Sequence, residues 1–249
     1  MPVLVLIVVM GLAAAVAGLV VRRAPRLALA GSICALVVVA GAIGAAALTV
    51  SGPLGIDTAA ADWAHAHATP ATTDVLGALT DIGQPTTVLV LAIVFGVVET
   101  ARTRTLWTAV FLVAVVGGNA LLTTVIKELV DRVRPDLDPT AATLGPSFPS
   151  GHSSWSAAFF AAAAFLLARG RSPRTQAALA AAAAAIAAGV AATRVLLAVH
   201  WLSDVAVGLT LGWAWFAVCA LALGRSLRPS AAPAAARRSP SGPAAAPRP

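Results

Sequence analysis

A chain of 249 residues that is 59% hydrophobic and only 11% charged is too apolar to fold as a water-soluble globule and has room for several membrane spans. Its apolar runs are continuous and rich in Ala, Leu and Val, which excludes a transmembrane barrel, whose strands alternate in polarity over about ten residues. The formal charge of +7 lies in short gaps between those runs rather than on one aromatic-laced basic face, a distribution that excludes nucleic acid as a partner and reports membrane orientation.

The fold class that follows is all-α, a polytopic transmembrane helical bundle. Crossing a bilayer takes about 20 residues. Runs of that order occupy residues 2–21, 27–50, 105–126, 177–199 and 201–223, and two shorter ones lie at 85–98 and 151–168, so seven spans are predicted. The third, 85–98, is thin and must borrow flanking residues, with Pro85 acceptable in its first turn. The first run has no basic residue ahead of it, while Arg22, Arg23 and Arg26 follow it. That order reads as a span with its N-terminus outside, not as a cleaved signal peptide. Alternation then assigns a side to every later gap. By that assignment 13 of the 17 basic residues fall inside, and nine of the ten acidic residues fall on the outer side or just within it, Glu99 being the exception. The model of seven crossings therefore satisfies the positive-inside bias.

The longest outer gap, residues 51–84, carries Asp57, Asp62, Trp63, His65, His67, Asp74 and Asp81 among small apolar residues, a composition that suits the membrane interface. His65 and His67 lack a third ligand at metal spacing and read as an exposed pair; no metal site is expected. Cys34 and Cys219 fall inside apolar runs, as small core residues. The alanine run 177–185 is expected to allow close helix packing.

Four basic residues break the inside bias: Lys127, Arg132, Arg134 and Arg194. Lys127 and Arg134 are seven apart, which puts them on one face of a helix that Pro135 ends. Next comes Pro149-Ser150-Gly151-His152, where a polar loop turns into an apolar run. Gly151 lets an anion approach the backbone, Ser150 adds a hydroxyl, His152 a titratable ring, and the opening of the following helix adds its positive dipole end. Arg194 is followed by His200 and Asp204, the latter two at i and i+4, so the carboxylate accepts from one ring nitrogen and leaves the other unprotonated. Read singly, each stretch has a bland account: Pro-Ser-Gly makes ordinary turns, an arginine near a span end snorkels, and a buried His–Asp pair glues helices. The topology places all three at the outer face, where they can surround one phosphate with charge-assisted hydrogen bonds.

Together, Lys127-x6-Arg134-Pro135, Pro149-Ser150-Gly151-His152 and Arg194-x5-His200-x3-Asp204 resemble the three signature motifs of the type 2 phosphatidic acid phosphatase superfamily, whose integral-membrane members are lipid phosphatases. The resemblance covers roughly residues 85–223, and it departs at Thr193, where the family usually has Ser. It implies a six-helix phosphatase core within 27–224, one extra N-terminal span in 1–26, and a tail, 225–249, whose Pro, Ala, Ser and Arg composition reads as disordered and cytoplasmic. It also implies the roles: Lys127, Arg134, Ser150, Gly151 and Arg194 bind phosphoryl oxygens, His200 is the nucleophile oriented by Asp204, and His152 is the general acid and base. No cofactor is implied, and the substrate is a lipid phosphate such as phosphatidic acid, phosphatidylglycerophosphate or undecaprenyl diphosphate, met at the outer face of the cell membrane. The competing readings are a lipid phosphotransferase with the same site, a vanadate haloperoxidase, disfavoured because those are soluble, and a non-catalytic membrane scaffold or transporter.

Overall fold

The computed structural model describes residues 53–135, 145–224 and 226–227. The expected spans 2–21 and 27–50, Cys34 and nearly all of the tail lie outside them. Among the described residues the chain is all-helical: α1 (Gly55–His67), α2 (Pro70–Thr80), a 3-10 turn (Asp81–Gly83), α3 (Pro85–Thr103), α4 (Trp107–Val130), α5 (Gly151–Ala168), α6 (Pro173–Leu196) and α7 (Leu202–Leu223). The last five are long and apolar enough to cross a membrane, and they match the last five predicted spans.

Local chemistry sets the helix ends. Pro70, Pro85 and Pro173 open α2, α3 and α6 at positions where a missing N–H costs nothing. Thr69 and Ser172 cap α2 and α6 by accepting the Thr72 and Thr175 amides. At their C-termini α3 and α4 leave the helix through left-handed residues, Arg104 (φ 55°) and Asp131 (φ 43°). The thin third span reaches 19 residues by taking in Glu99 to Thr103. Glu99 is buried there, with Arg102 at 2.8 Å and Arg169 at 3.4 Å, so a carboxylate inside a span has cationic partners.

The central helix is α5, which packs against α3, α4, α6 and α7. Its contact with α7 is close because Gly208 and Gly212 lie one turn apart on the facing surface. A Cβ at Gly208 would come within 2.6 Å of the Ser150 carbonyl oxygen. One at Gly212 would collide with the Ser154 carbonyl and come within 2.8 Å of the Ala157 Cβ. In lipid, where helices gain no hydrophobic drive to associate, such backbone proximity is a main source of cohesion. Elsewhere the core is apolar and aromatic, with Phe111, Phe165 and Phe216 mutually packed between α4, α5 and α7. Outward, α3 presents Val90, Ile93, Val94, Val97 and Val98 uncovered, as a lipid-facing surface does.

Two expectations are corrected. The alanine run serves little close packing, because of residues 177–185 only Ala183 is buried; short side chains there simply face outward. Residues 53–83 do more than line an interface, since α1 and α2 pack on α6, α1 also packs on α7, and Ala60 joins the core cluster of Ala157, Ala187 and Val205. Meanwhile His65 and His67 are exposed as expected, with the His67 ring stacked on Trp63, and Cys219 is buried and free.

The α5–α7 contact yields a direct test. Gly212→Ala is expected to destabilise the fold by about 1–3 kcal/mol through overpacking. Gly189→Ala, where a Cβ meets nothing within 4 Å, is expected to be neutral or to stabilise by up to about 1 kcal/mol. Melting midpoints of the two variants in detergent, compared with the wild type, check the contrast.

Candidate active site

The ends of α4 and α6 and the starts of α3, α5 and α7 meet at one end of the bundle, and the polar side chains gather there. The first segment does not run as expected. The helix stops at Val130, Asp131 turns left-handed, and residues 132–135 continue without helix. Lys127 and Arg134 therefore do not share a helical face. They meet because the departing strand of chain folds back over the helix end. Lys127 Nζ donates to the Pro146 carbonyl, and Arg134 Nη2 donates to the same oxygen at 3.2 Å. The segment is pinned alongside residues 145–147 by the Ser147 amide on the Arg132 carbonyl at 2.8 Å.

The third segment also departs from helix. The chain leaves α6 at Leu196, passes Ala198 with φ 52°, and enters α7 only at Leu202, so His200 sits in a turn rather than on the helix carrying Asp204. Both the Val199 and His200 amides donate to the Arg194 carbonyl at 3.2 Å, which ties the turn to the end of α6. The ring of His200 is 2% exposed. Its Nε2 lies 3.1 Å from Arg134 Nη1, and its Nδ1 lies 3.5 Å from Asp204 Oδ2. A guanidinium only donates, so Nε2 must accept, and in the neutral ring the proton is on Nδ1, facing the carboxylate. Burial, together with the nearby arginine charges, pushes the His200 pKa down to about 4 against the pull of Asp204. Arg134, which also donates to Gly145 at 2.8 Å and Val199 at 2.6 Å, is likewise shifted down by burial.

Asp204 is fully buried and touches all three segments. Oδ1 accepts from Arg132 Nη1 at 2.6 Å, Oδ2 accepts the Trp201 amide at 3.0 Å, and its carbonyl accepts the Ser150 amide at 3.0 Å. The second segment is thereby fixed to the third. Ser150 is itself fully buried, its hydroxyl accepting from Ser153 at 3.0 Å. Gly151 opens α5 half-exposed, and a Cβ added to it would meet nothing within 4 Å. His152, also half-buried, interacts electrostatically with Arg194, His200, Arg134 and Lys127. Arg194, 7% exposed, donates to Thr80 Oγ1 at 3.1 Å, while its buried Nε has no hydrogen-bond partner. The Thr193 hydroxyl is spent on the Val190 carbonyl at 2.7 Å.

All eight residues expected at the site thus lie at this end of the bundle. Three participants were not expected: Arg132, Asp57 and Ser203. Arg132 joins Asp204 to Asp57 at 2.9 Å, and the Asp57 carboxylate also accepts the Ser203 amide and hydroxyl, both at 2.8 Å. The signal for Arg132 was its place among the four cations outside the positive-inside pattern. Nothing in the sequence singled out Asp57 among the acids of its segment. Among the described residues no group of three or more His, Cys, Asp or Glu is placed to hold a metal ion.

The profile of the PAP2 superfamily matches residues 107–228. The chain is 30% identical over 143 residues to phosphatidylglycerophosphatase B of Bacillus subtilis (strain 168), covering 56% of this chain and 69% of that protein. It is 36% identical over 122 residues to a lipid A 1-phosphatase of Rhizobium johnstonii, covering 45% of this chain and 46% of that protein; it therefore spans about half the length of that relative. Its fold resembles the crystal structure of a transmembrane PAP2 type phosphatidylglycerolphosphate phosphatase from Bacillus subtilis, with a TM-score of 0.71 and 27% identity over 79% of this chain and 97% of the other.

Proposed function

The chain belongs to the PAP2 superfamily, and from that membership and the geometry of its site we propose that it hydrolyses a phosphomonoester or diphosphate of a lipid at the outer membrane face, through a phosphohistidine and without a metal. The observation that carries the reading is the buried His200, whose Nε2 lies 3.1 Å from Arg134 Nη1 and whose Nδ1 lies 3.5 Å from Asp204 Oδ2, at the point where three distant segments meet.

The roles follow from the chemistry of each group. A phosphoryl group brings two or more negative charges, which Lys127, Arg134 and Arg194 neutralise, with the Ser150 hydroxyl and Gly151 amide as further donors. Arg194 supports this, since its buried Nε lacks a partner that a phosphoryl oxygen would supply. Gly151 supports it too. A Cβ there would meet no protein atom within 4 Å, so the backbone at the start of α5 is open to a ligand. His200 Nε2 attacks phosphorus, the bond to the lipid oxygen breaks, and His152 gives that oxygen its proton. His152 then takes a proton from water, which attacks phosphorus, breaks the P–N bond and releases inorganic phosphate. Asp204 holds Nδ1–H throughout and stabilises the positive ring. The three cations do the work a divalent ion does in other phosphatases. The outer location rests on the charge asymmetry of the gaps between spans, and the lipid substrate on the apolar spans and the relatives. A phosphotransferase would use the same groups, and its product would be a phosphorylated acceptor in place of free phosphate.

Purified protein given phosphatidic acid, phosphatidylglycerophosphate, a lipid A 1-phosphate and undecaprenyl diphosphate is expected to release phosphate from at least one of them. His200→Ala, His152→Ala and Asp204→Asn are expected to lose a hundredfold or more, about the contribution of positioned acid–base and nucleophilic groups, while still inserting in membranes. EDTA is expected to leave the rate unchanged. Full activity in any of the three variants, or abolition by chelator, overturns the corresponding role.

Gly151→Ala is expected to melt with the wild type, because its methyl meets no protein atom, and to raise KM or lower kcat by tenfold or more, because the methyl occupies the anion's approach. A kinetically silent Gly151→Ala counts against the proposed seat.

The nucleophile acts neutral, and His200 protonates only as pH falls through about 4. The acidic limb of kcat/KM, which reports the free enzyme, is therefore expected near pH 4, with no loss assignable to His200 between 6.5 and 5. A pH–rate profile in which kcat/KM falls by a further step near 6.5 as pH is lowered, beyond the substrate phosphate's own second ionisation near pH 6, contradicts that protonation state.

A further inference from the structure

Asp57 lies in the first turn of α1, outside the family-matched residues 107–228. An acid at that position ordinarily serves its own helix, and Asp57 does accept the Leu54 amide at 3.2 Å. Its other bonds are distant. Oδ2 accepts from Arg132 Nη2 at 2.9 Å and from the Ser203 hydroxyl at 2.8 Å, and Oδ1 accepts the Ser203 amide at 2.8 Å. A carboxylate with 0% exposure that is committed to residues 75 and 146 positions away is placed by the tertiary fold as well as by its own helix cap.

We propose that Asp57 is a positioning residue for the His200–Asp204 pair, acting through Arg132. The proposal rests on the reading of His200 as nucleophile. The guanidinium is a rigid planar fork. Asp57 grips Nη2, so the plane is fixed, and Nη1 is presented to Asp204 Oδ1 at 2.6 Å and to Ser203 Oγ at 2.8 Å. Ser203 closes the ring by donating its own proton to Asp57. Asp204 is then held at Oδ1 by Arg132 and at Oδ2 by the Trp201 amide, which leaves Oδ2 facing His200 Nδ1 at 3.5 Å. Charge is set as well as angle. One guanidinium shared by two carboxylates leaves Asp204 its negative character toward the ring. Without the Asp57 charge, Arg132 is paid for by Asp204 alone, and the carboxylate stabilises a positive His200 less. The groups bearing on that ring are Arg134, Arg194 and Asp204 directly, His152, and Arg132 with Asp57 behind Asp204. None of the α1 residues need touch substrate, so the effect belongs to the chemical step rather than to binding.

The test measures kcat and KM per folded enzyme, well below each melting midpoint, on whichever panel lipid phosphate the wild type hydrolyses fastest, with His200→Ala as blank. Asp57→Asn is expected to lower kcat tenfold or more with KM within twofold. Arg132→Lys keeps the charge but offers one ammonium where a fork is needed, and it is expected to show the same split. If Asp57→Asn does not insert as folded protein, Arg132→Lys decides alone. Wild-type kcat in the folded variants, or a loss that appears in KM instead of kcat, overturns the proposal. Activity in His200→Ala overturns the nucleophile reading instead, whereas a dead His200→Ala beside a fully active Asp57→Asn overturns the role of Asp57 only.

Discussion

A buried carboxylate with three attachments organises this end of the molecule. Asp204 accepts from Arg132, from the Trp201 amide and, through its carbonyl, from the Ser150 amide, and it faces the His200 ring. Its first partner comes from the chain beyond α4, its third from the turn into α5, and its own helix is α7. A buried ion pair is weak evidence for stability, because desolvation offsets much of the attraction; removing one partner is nevertheless severe, leaving a charge unpaired in a low-dielectric interior. The arrangement fixes which segments meet more than how firmly the bundle holds. Cohesion comes from the close approach of α5 to α7 at Gly208 and Gly212, and the same approach brings the Ser150 carbonyl against α7, so packing and site share one contact.

The polar groups are distributed as a bilayer requires. At the end away from the site, Glu99 is met by Arg102 and Arg169, and Arg169 also donates to the Leu227 carbonyl at 2.8 Å. Midway, Asn119, Thr123 and Ser154 are buried and bonded to one another, Ser154 donating to Asn119 Oδ1 at 2.7 Å. Among the buried and half-buried charges at the site end cations exceed anions, Lys127, Arg132, Arg134 and Arg194 against Asp57 and Asp204, while the exposed Asp81 also acts on Arg194. An excess of buried positive charge is costly unless an anion joins it, and a phosphoryl group is such an anion.

Much of this was legible in the sequence because it depends on local pattern. Five spans could be read from run length, since a helix crossing lipid must be apolar nearly throughout. The three polar stretches could be read because charge inside such a chain is expensive, so each exception asks for a reason. Spacing misled where it assumed continuous helix. Lys127 and Arg134 suit one helical face at seven residues, but Asp131 takes a left-handed conformation and Arg134 arrives by a fold-back. His200 Nδ1 comes within 3.5 Å of Asp204 Oδ2 without making the expected hydrogen bond, and it arrives through a turn, not along one helix face. Asp57 and Ser203 were not legible at all. Their partners depend on how α1 lies against α6 and α7, and no periodicity in a segment of small residues encodes that docking. The alanine run was legible as helix but not as to which way it faces, because a stretch that is alanine at every position but Leu179 carries almost no amphipathic signal.

The hydrogen bond between Arg134 and His200 bears on how the proposed reaction begins. Nε2 of a neutral ring has one lone pair in the ring plane, and here it accepts from Arg134 Nη1 at 3.1 Å. That same pair would attack phosphorus, so the nucleophile is covered while Arg134 remains on it. A phosphoryl oxygen is a stronger acceptor for a guanidinium than an imidazole is, because the bond is charged on both sides. On the proposed reading, arrival of the phosphate would draw Nη1 from the ring to the ligand, so that binding and exposure of the lone pair would be one event. Until then the arginine's positive charge, with burial, keeps the ring unprotonated. On the proposed reading, Arg134 both receives the phosphate and, with burial, keeps the His200 ring neutral before it arrives.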